Sequence, residues 1–148
     1  MLLFYSIDII VDKPETSIRV RYSETDQMGV AYHGSLIPWF EVGRTDLLRF
    51  TGMSYCDIEK KYGIHLAVVG ASLTYSKRIH YDDTLVIDTT LTEMGKSRLT
   101  FSYRVLRENV LVATGHSTHV CVDESGKPQR WPREINQQFT QMLQLNGK

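Results

Sequence analysis

The sequence predicts an α+β protein in which one antiparallel β-sheet wraps around a long helix. Two observations lead to this prediction. Apolar residues recur at helical spacing over residues 36–50, whereas four segments between residues 64 and 122 read as β-strands. No helix separates those strands, which argues against a doubly wound parallel sheet. A chain of 148 residues is long enough for one such domain with a true core.

The chain begins with an apolar segment, residues 1–11, that lacks a basic region and is interrupted by Asp8. This composition differs from that of a signal peptide and predicts an ordered extension or an extra strand within residues 1–16. Apolar residues then alternate with arginines over residues 17–22, which predicts a half-buried strand. A polar loop follows as far as Gly34.

A long amphipathic helix is predicted next. Ser35 is a candidate N-cap, and Pro38 falls in the first turn, where its missing N–H costs nothing. Thr51 and Gly52 supply the stop. A glycine inside this helix costs about 1 kcal/mol relative to alanine, which suggests close packing there. The residues expected to face the sheet are Leu36, Phe40, Gly43, Leu47 and Phe50.

The rest of the chain predicts a short helix, four strands and a final helix. The short helix covers residues 54–62 and ends at Gly63. Turn-like segments separate the last three strands, which are therefore expected to form an antiparallel meander. A helical tail begins at Trp131 and Pro132, with Ile135, Phe139 and Met142 on one side. The predicted strands are residues 64–81, 84–92, 97–106 and 110–122.

The composition narrows the range of partners and compartments. With 17 basic and 17 acidic residues the formal charge is zero, so no strong field favours nucleic acid or a membrane surface. No segment reaches the length of a membrane span, and a cytoplasmic protein is expected. Cys56 and Cys121 lack C-x-x-C spacing and are interpreted as free thiols.

Several common sites are rejected on spacing. Gly95-Lys96-Ser97 resembles the end of a phosphate loop, but Thr90 stands where the upstream glycine is required. His116 and His119 are three residues apart on a predicted strand, so they point to opposite faces and cannot share a metal ion. We therefore expect no metal site.

Asp26 is the strongest candidate for chemistry, because it precedes the long helix, whose free N–H groups can stabilise a developing anion. Spacing alone favours a bland alternative, in which Asp26 forms an Asx-turn or caps the helix. Tyr22 and His33 lie on either side of it and have structural interpretations of their own. Glu41 and Arg44 are expected to form a surface ion pair at i,i+3 spacing.

The segment from Thr25 to His33, followed by Trp39-Phe40-Glu41 and Arg44, closely resembles the signature of a known family. This family comprises the hotdog-fold acyl-CoA thioesterases of the 4-hydroxybenzoyl-CoA thioesterase type, including the branch associated with the Tol-Pal system. The resemblance continues through Tyr75 and the last strands and covers about residues 18–133, leaving the N-terminal extension and the tail outside it.

The resemblance implies a hotdog domain that hydrolyses acyl-CoA, with no cofactor beyond the coenzyme A of the substrate. It also implies a homodimer or homotetramer whose active sites lie at the dimer interface. The helix start is expected to offer backbone N–H groups to the thioester oxygen. The implied catalytic residues are Asp26, His33 and Tyr22, and the candidates for binding coenzyme A are Lys77, Arg98 and Arg130.

Two other functions remain open from the sequence. A hotdog hydratase or dehydratase would use a loop histidine and a helix acid on an acyl thioester, and His33 with Glu41 could supply them. A non-catalytic acyl-CoA-binding protein would have the same pocket without turnover. The presence of Asp26 weighs against both.

Overall fold

A computed structural model of the chain describes Lys13 and residues 15–145. The extra strand that the sequence predicts near the N-terminus lies outside the described residues, except for its last positions. Two short 3-10 turns, Tyr22–Glu24 and His33–Ser35, precede the long helix. The elements are β1 (Thr16–Arg19), α1 (Leu36–Thr51), α2 (Tyr55–Tyr62), β2 (His65–Tyr75), β3 (Thr84–Met94), β4 (Arg98–Arg107), β5 (Val110–Val122) and α3 (Arg133–Gln144).

The five strands form one antiparallel sheet in the order β1-β3-β4-β5-β2. The predicted meander of β3, β4 and β5 is confirmed, and β1 and β2 form the two edges. On β4, side chains alternate between buried and more exposed positions, which leaves one face of the sheet apolar. Helix α1 packs on that face, so the predicted architecture of a sheet around a long helix is also confirmed.

The helices begin and end close to their predicted positions. The Ser54 side chain accepts a hydrogen bond from the Asp57 N–H and caps α2, which ends at Gly63 in a left-handed conformation. Helix α3 buries Ile135, Phe139 and Met142, as predicted. Gly52 follows the last residue of α1.

Two details of α1 differ from the prediction. The Ser35 hydroxyl does not cap the helix but donates to the Glu24 carbonyl, because the preceding 3-10 turn already occupies that position. Phe50 is 37% exposed, whereas Leu48 is buried. The end of α1 is covered by α3 as well as by the sheet, since the Gln138 amide donates to the Leu48 carbonyl, and burial there falls on Leu48 and not on Phe50.

Two strands are shorter than predicted. Strand β1 ends at Arg19, and Tyr22 lies in a 3-10 turn with 79% of its surface exposed. The prediction that the strand reaches Tyr22 is wrong, because the chain turns where the Glu24 N–H donates to the Arg21 carbonyl. Strand β2 ends at Tyr75. The next two residues, Ser76 and Lys77, both donate to the Val112 carbonyl of β5, and the segment as far as Ile79 lines a cleft.

Helix α1 approaches the sheet closely at Gly43, as its unfavourable propensity suggested. A Cβ at this position would lie 2.3 Å from Thr89 Oγ1 and 2.9 Å from Ile87 Cγ2. From the other side, Gly115 on β5 leaves room for the ring of Phe40. The two glycines therefore set the distance between helix and sheet.

Replacing Gly43 by alanine should destabilise the protein, although alanine is the better helix former. The overlap with Thr89 is expected to cost more than the gain of about 1 kcal/mol in helix propensity, for a net loss of roughly 1–3 kcal/mol in urea denaturation. Thr89→Ala serves as the matched test, because Thr89 Oγ1 is buried without a hydrogen-bond partner in the described chain. The double variant should recover part of the loss, and strictly additive effects would contradict this explanation.

Candidate active site

A cleft of about 360 Å³ lies beside the start of α1. One wall is the loop that precedes the helix, and the other is the end of β2 with the segment that follows it. The wall residues include acidic, basic, aromatic and apolar side chains, which suits a ligand with both polar and apolar parts. They are Asp26, Val30, Ala31, His33, Tyr75, Ser76, Lys77, Arg78 and Ile79.

The first wall is a tight turn from Asp26 to Gly29, which backbone pairing holds closed at its base and joins to the second wall. The Gly29 N–H donates to the Asp26 carbonyl at 3.0 Å, and the φ angle of +78° at Gly29 suits glycine. Thr25 pairs with Ala31 across the turn. The Ala31 N–H donates to the Ile79 carbonyl at 2.7 Å, which joins the two walls of the cleft.

The structure is compatible with both roles that the sequence left open for Asp26. Its Oδ1 accepts the Met28 N–H at 2.8 Å, which is the Asx-turn of the bland interpretation. Its Oδ2 makes no hydrogen bond with any described residue, and the side chain is exposed at the cleft wall. One oxygen therefore orients the carboxylate while the other is available to a ligand or a water molecule.

The 3-10 turn before α1 begins with free hydrogen-bond donors, and its first residue, His33, lines the cleft together with Asp26. Within the described residues, the backbone N–H groups of His33 and Gly34 have no acceptor. The Tyr75 hydroxyl fixes this turn by donating to the carbonyls of Tyr32 at 3.1 Å and His33 at 2.9 Å. Burial raises the pKa of Tyr75 to about 12, so the hydroxyl keeps its proton at neutral pH.

Glu24 is an anchor of the cleft that the sequence did not suggest. Its carboxylate accepts the Trp39 Nε1–H at 2.6 Å and the Arg21 N–H at 2.8 Å, which ties the loop to α1. Burial opposes ionisation of Glu24, but these hydrogen bonds and the Arg21 guanidinium outweigh it and lower the pKa. A glutamate in a polar loop carries no sequence signal for this role, because its partner Trp39 comes from another element.

Of the other predicted site residues, only Lys77 lies in the cleft. Tyr22 packs edge-on against Tyr81, with ring centroids 5.7 Å apart, and is not among the cleft residues. Lys77 is in the cleft, next to the start of β5, where its N–H donates to the Val112 carbonyl. Arg98 pairs with Val120 near the other end of β5, about 27 Å away at the rise of an extended strand.

Arg130 lies near Arg98, since the residues on either side of it bond to the Cys121 and Lys96 carbonyls. A single chain therefore brings Asp26, His33 and Lys77 together and leaves the two arginines at the far end of the sheet.

Two predictions about other side chains have clear outcomes. The ion pair expected between Glu41 and Arg44 is not present among the described residues, and both side chains instead line a second pocket. The prediction that His116 and His119 point to opposite faces is confirmed, because His116 is exposed and His119 is fully buried. Within the described chain, no group of three or more histidine, cysteine or acidic residues could hold a metal ion.

Comparison with known proteins agrees with this fold. The thioesterase-like superfamily matches residues 20–139. The chain is 41% identical over 113 residues to YneP of Bacillus subtilis (strain 168), a provisional acyl-CoA thioesterase, covering 75% of this chain and 81% of YneP. It is 32% identical over 126 residues to the acyl-CoA thioester hydrolase YbgC of Escherichia coli O157:H7, covering 84% and 93% of the two chains.

A solved structure supports the same fold and the same class of protein. The DHNA-CoA thioesterase from Staphylococcus aureus superposes with a TM-score of 0.84 at 33% identity, over 89% of this chain and 91% of that one. The chain belongs to the thioesterase-like superfamily. The predicted hotdog fold and the predicted class of enzyme, a thioesterase, are thereby confirmed. Among the described helices, none is long and apolar enough to cross a membrane.

Replacing Glu24 by glutamine should destabilise the protein by roughly 1.5–3 kcal/mol at neutral pH, because charge-assisted hydrogen bonds to Trp39 and Arg21 are lost. The stabilisation from a carboxylate with a lowered pKa is present above its ordinary value of 4.5 and is lost as the pH falls through the folded-state value. The difference from wild type in urea denaturation should therefore shrink below pH 4.5.

Glu93→Gln is the control, because Glu93 is exposed near the end of β3 and forms no ion pair with a described residue. Glu93→Gln should leave the free energy of unfolding nearly unchanged, both at neutral pH and below pH 4.5. An equal loss in the two variants, or a loss for Glu24→Gln that grows in acid, would contradict the role of Glu24.

Proposed function

We propose that this protein hydrolyses acyl-CoA thioesters in the cleft beside α1, with Asp26 as the reactive carboxylate. The observation that carries this proposal is the meeting of Asp26 and His33 in one cleft, at the start of a turn whose first N–H groups, those of His33 and Gly34, have no acceptor among the described residues. The superfamily match supports a thioester substrate, and the names of YneP and YbgC support coenzyme A as its carrier.

Hydrolysis needs a nucleophile at the carbonyl carbon and donors for the oxyanion that forms. The thioester oxygen would point at the N–H groups of His33 and Gly34, and each well-aimed donor can lower the barrier by about 3–4 kcal/mol. Asp26 then either takes a proton from the attacking water or attacks directly, giving an anhydride that water opens. Both routes use the oxygen that the Asx-turn leaves free.

The leaving group explains why no catalytic triad is required. A thiolate departs far more readily than an amine, so a strong general acid is unnecessary. His33 would orient the water or the thioester from the rim of the cleft, where its ring lies 4.2 Å from that of Tyr32. Tyr22 lies outside the cleft lining, where its ring packs on Tyr81, and would support catalysis from that neighbouring position. Lys77 would meet a phosphate of coenzyme A.

The site is completed by a second copy of the chain in this proposal. Strand β2 is an edge of 11 residues with exposed backbone, and its Val68 and Val69 side chains are 57% and 54% exposed. Such an apolar edge is suited to pairing with another strand. Antiparallel pairing of two β2 strands about Gly70 would place the Tyr75 end of one beside the His65 end of the other.

That pairing also accounts for the separated arginines. It would bring Lys77 of one protomer to the end of the sheet that carries Arg98 and Arg130 of its partner, so that the two chains together could hold coenzyme A. The assignment to the 4-hydroxybenzoyl-CoA thioesterase type and its Tol-Pal-associated branch remains part of this proposal. A tetramer of two dimers is compatible with it.

Asp26→Asn should leave the fold and coenzyme A binding intact and reduce kcat by roughly 100-fold or more, because amide nitrogen and oxygen cannot replace the base or nucleophile. Thiol release from short-chain, long-chain and aromatic acyl-CoAs measures this. Asp57→Asn, at an exposed position on α2, is the matched control and should keep full turnover. Near wild-type hydrolysis by Asp26→Asn would refute the assignment.

The same assays separate the rival functions. His33→Ala should cost less than Asp26→Asn, and the reverse order would make His33 the principal base. Hydration of crotonyl-CoA without thiol release would indicate a hydratase. Binding of coenzyme A without turnover of any acyl-CoA would indicate a binding protein.

Val69→Lys should weaken the dimer, because pairing about Gly70 would bring the two introduced charges close together across the symmetry axis. Light scattering after gel filtration should show a shift towards monomer, with activity falling in parallel. Val110→Lys introduces the same charge at an exposed position on β5, away from this edge, and should do neither. A fully active dimer of Val69→Lys would contradict pairing through β2.

A further inference from the structure

The Tyr75 hydroxyl joins the end of β2 to the turn that precedes α1. It donates to the Tyr32 carbonyl at 3.1 Å and to the His33 carbonyl at 2.9 Å, so its one hydrogen is shared between two acceptors. Tyr75 and His33 both line the cleft assigned to hydrolysis. A single side chain on one wall of the cleft therefore contacts the backbone of the other wall.

The two carbonyls that accept this hydroxyl belong to two consecutive peptide groups. A peptide group consists of the carbonyl of one residue and the N–H of the next. The Tyr32 carbonyl is therefore conjugated with the His33 N–H, and the His33 carbonyl with the Gly34 N–H. These are the two N–H groups without an acceptor among the described residues, which the proposed mechanism assigns to the oxyanion.

A hydrogen bond to the carbonyl end of a peptide group strengthens the donor at its other end. Resonance places part of the nitrogen's electron density on the oxygen, and a donor at the oxygen increases that shift. Linked hydrogen bonds strengthen one another in this way by about 10–30% per bond. The Ser35 N–H also donates to the Tyr32 carbonyl, at 2.8 Å, and acts on the His33 N–H in the same sense.

The sheet holds the Tyr75 side chain in place. Tyr75 is the last residue of β2 and pairs with Ala113 on β5. The next two residues continue this attachment, because the Ser76 and Lys77 N–H groups donate to the Val112 carbonyl at 2.9 and 3.1 Å. The hydroxyl therefore contacts the turn from a backbone that is fixed before the substrate binds.

The hydroxyl is poorly suited to transferring a proton itself. Burial raises the pKa of Tyr75 to about 12, and the Leu36 backbone N–H only partly opposes this rise. The hydroxyl is therefore protonated at neutral pH and cannot act as a base. Departure of a thiolate requires no strong acid, and the hydrogen is already bonded to two carbonyls. The hydroxyl can thus contribute only through the peptide groups that it contacts.

We propose that Tyr75 is a positioning residue that holds the turn and, through the two carbonyls, strengthens the His33 and Gly34 N–H groups as donors to the oxyanion. This inference rests on the proposed thioesterase function. The oxyanion carries more charge than the carbonyl oxygen of the bound substrate, so stronger donors stabilise the transition state more than the ground state. Tyr75 should therefore affect kcat and leave KM nearly unchanged.

Tyr75→Phe keeps the ring and removes the hydroxyl. Each oxyanion donor is worth about 100- to 1000-fold in kcat, so weakening two of them by 10–30% should lower kcat by roughly 3- to 60-fold. Thiol release from butyryl-, palmitoyl- and benzoyl-CoA measures this. KM should change by less than about twofold, and the pH dependence of kcat should keep its shape.

Tyr62→Phe is the matched control. It also removes a hydrogen-bonded tyrosine hydroxyl, but the partner of that hydroxyl is Glu134 on α3, and Tyr62 is not among the cleft residues. This variant should keep the wild-type kcat. Urea denaturation of both variants separates a loss of turnover from a loss of folding.

The strength of the donors can also be observed on a bound thioester. In the Asp26→Asn protein, the best of the three substrates, isotopically labelled at the carbonyl carbon, should remain bound without hydrolysis. Infrared difference spectroscopy reports its carbonyl stretch, whose frequency falls as hydrogen bonds to the oxygen strengthen. Adding Tyr75→Phe should shift the stretch to higher frequency, and adding Tyr62→Phe should leave it unchanged.

Replacement of Tyr75 by 3-fluorotyrosine tests the same point while keeping the hydroxyl, and it decides the question where Tyr75→Phe does not fold. The fluorine makes the hydroxyl a stronger donor. The carbonyl stretch of the bound thioester should then move to lower frequency, and kcat should equal or exceed the wild-type value. A lower kcat or an unmoved stretch would overturn the inference.

The outcomes separate this inference from the proposed function. Wild-type kcat in folded Tyr75→Phe, an unmoved carbonyl stretch, a loss that appears in KM, or an altered pH profile would overturn the role of Tyr75 and leave the thioesterase proposal standing. Absence of thiol release from all three acyl-CoAs by the wild-type protein would refute the proposed function and, with it, this inference.

Discussion

The close contact between α1 and the sheet is the constraint on which the rest of the structure depends. Gly43 on the helix and Gly115 on β5 remove side chains where the two layers meet, and Phe40 stacks on Tyr103 with centroids 4.1 Å apart. Interiors packed at this density tolerate little displacement. The position of the helix axis is therefore fixed, and with it the place where His33, in the turn before the helix, lines the cleft.

A second consequence concerns the two acidic residues of the loop. Glu24 is buried, and its carboxylate accepts hydrogen bonds from the Trp39 side chain and the Arg21 backbone, which hold the loop against α1. Asp26, two residues further on, is exposed and commits one oxygen to the turn. The same short segment thus contains a structural carboxylate and an available one. Their difference arises from burial and hydrogen bonding, since their side-chain chemistry is nearly the same.

The proposal that one chain holds only part of the site rests on the positions of the polar groups. Lys77 lies at one end of β5, and Arg98 at the other. The second pocket, which Glu41 and Arg44 line, is likewise separated along β2 from the cleft of its own chain. The exposed edge of β2 lies between these features. Antiparallel pairing of two such edges would place each cleft beside the opposite end of the partner's sheet. In the proposed dimer, residues of both chains could then bind one substrate.

The sequence by itself determined the order of the elements, the meander, the buried face of β4 and the presence of Asp26 before a helix, because periodicity and turn residues are local properties. It also indicated the superfamily through an ordered motif. Only the tertiary structure decided that Tyr22 is exposed, that Glu24 anchors the loop, and that Arg44 faces a pocket instead of pairing with Glu41. Those outcomes depend on partners from distant elements, and spacing along one chain carries no information about which side chains such elements bring together.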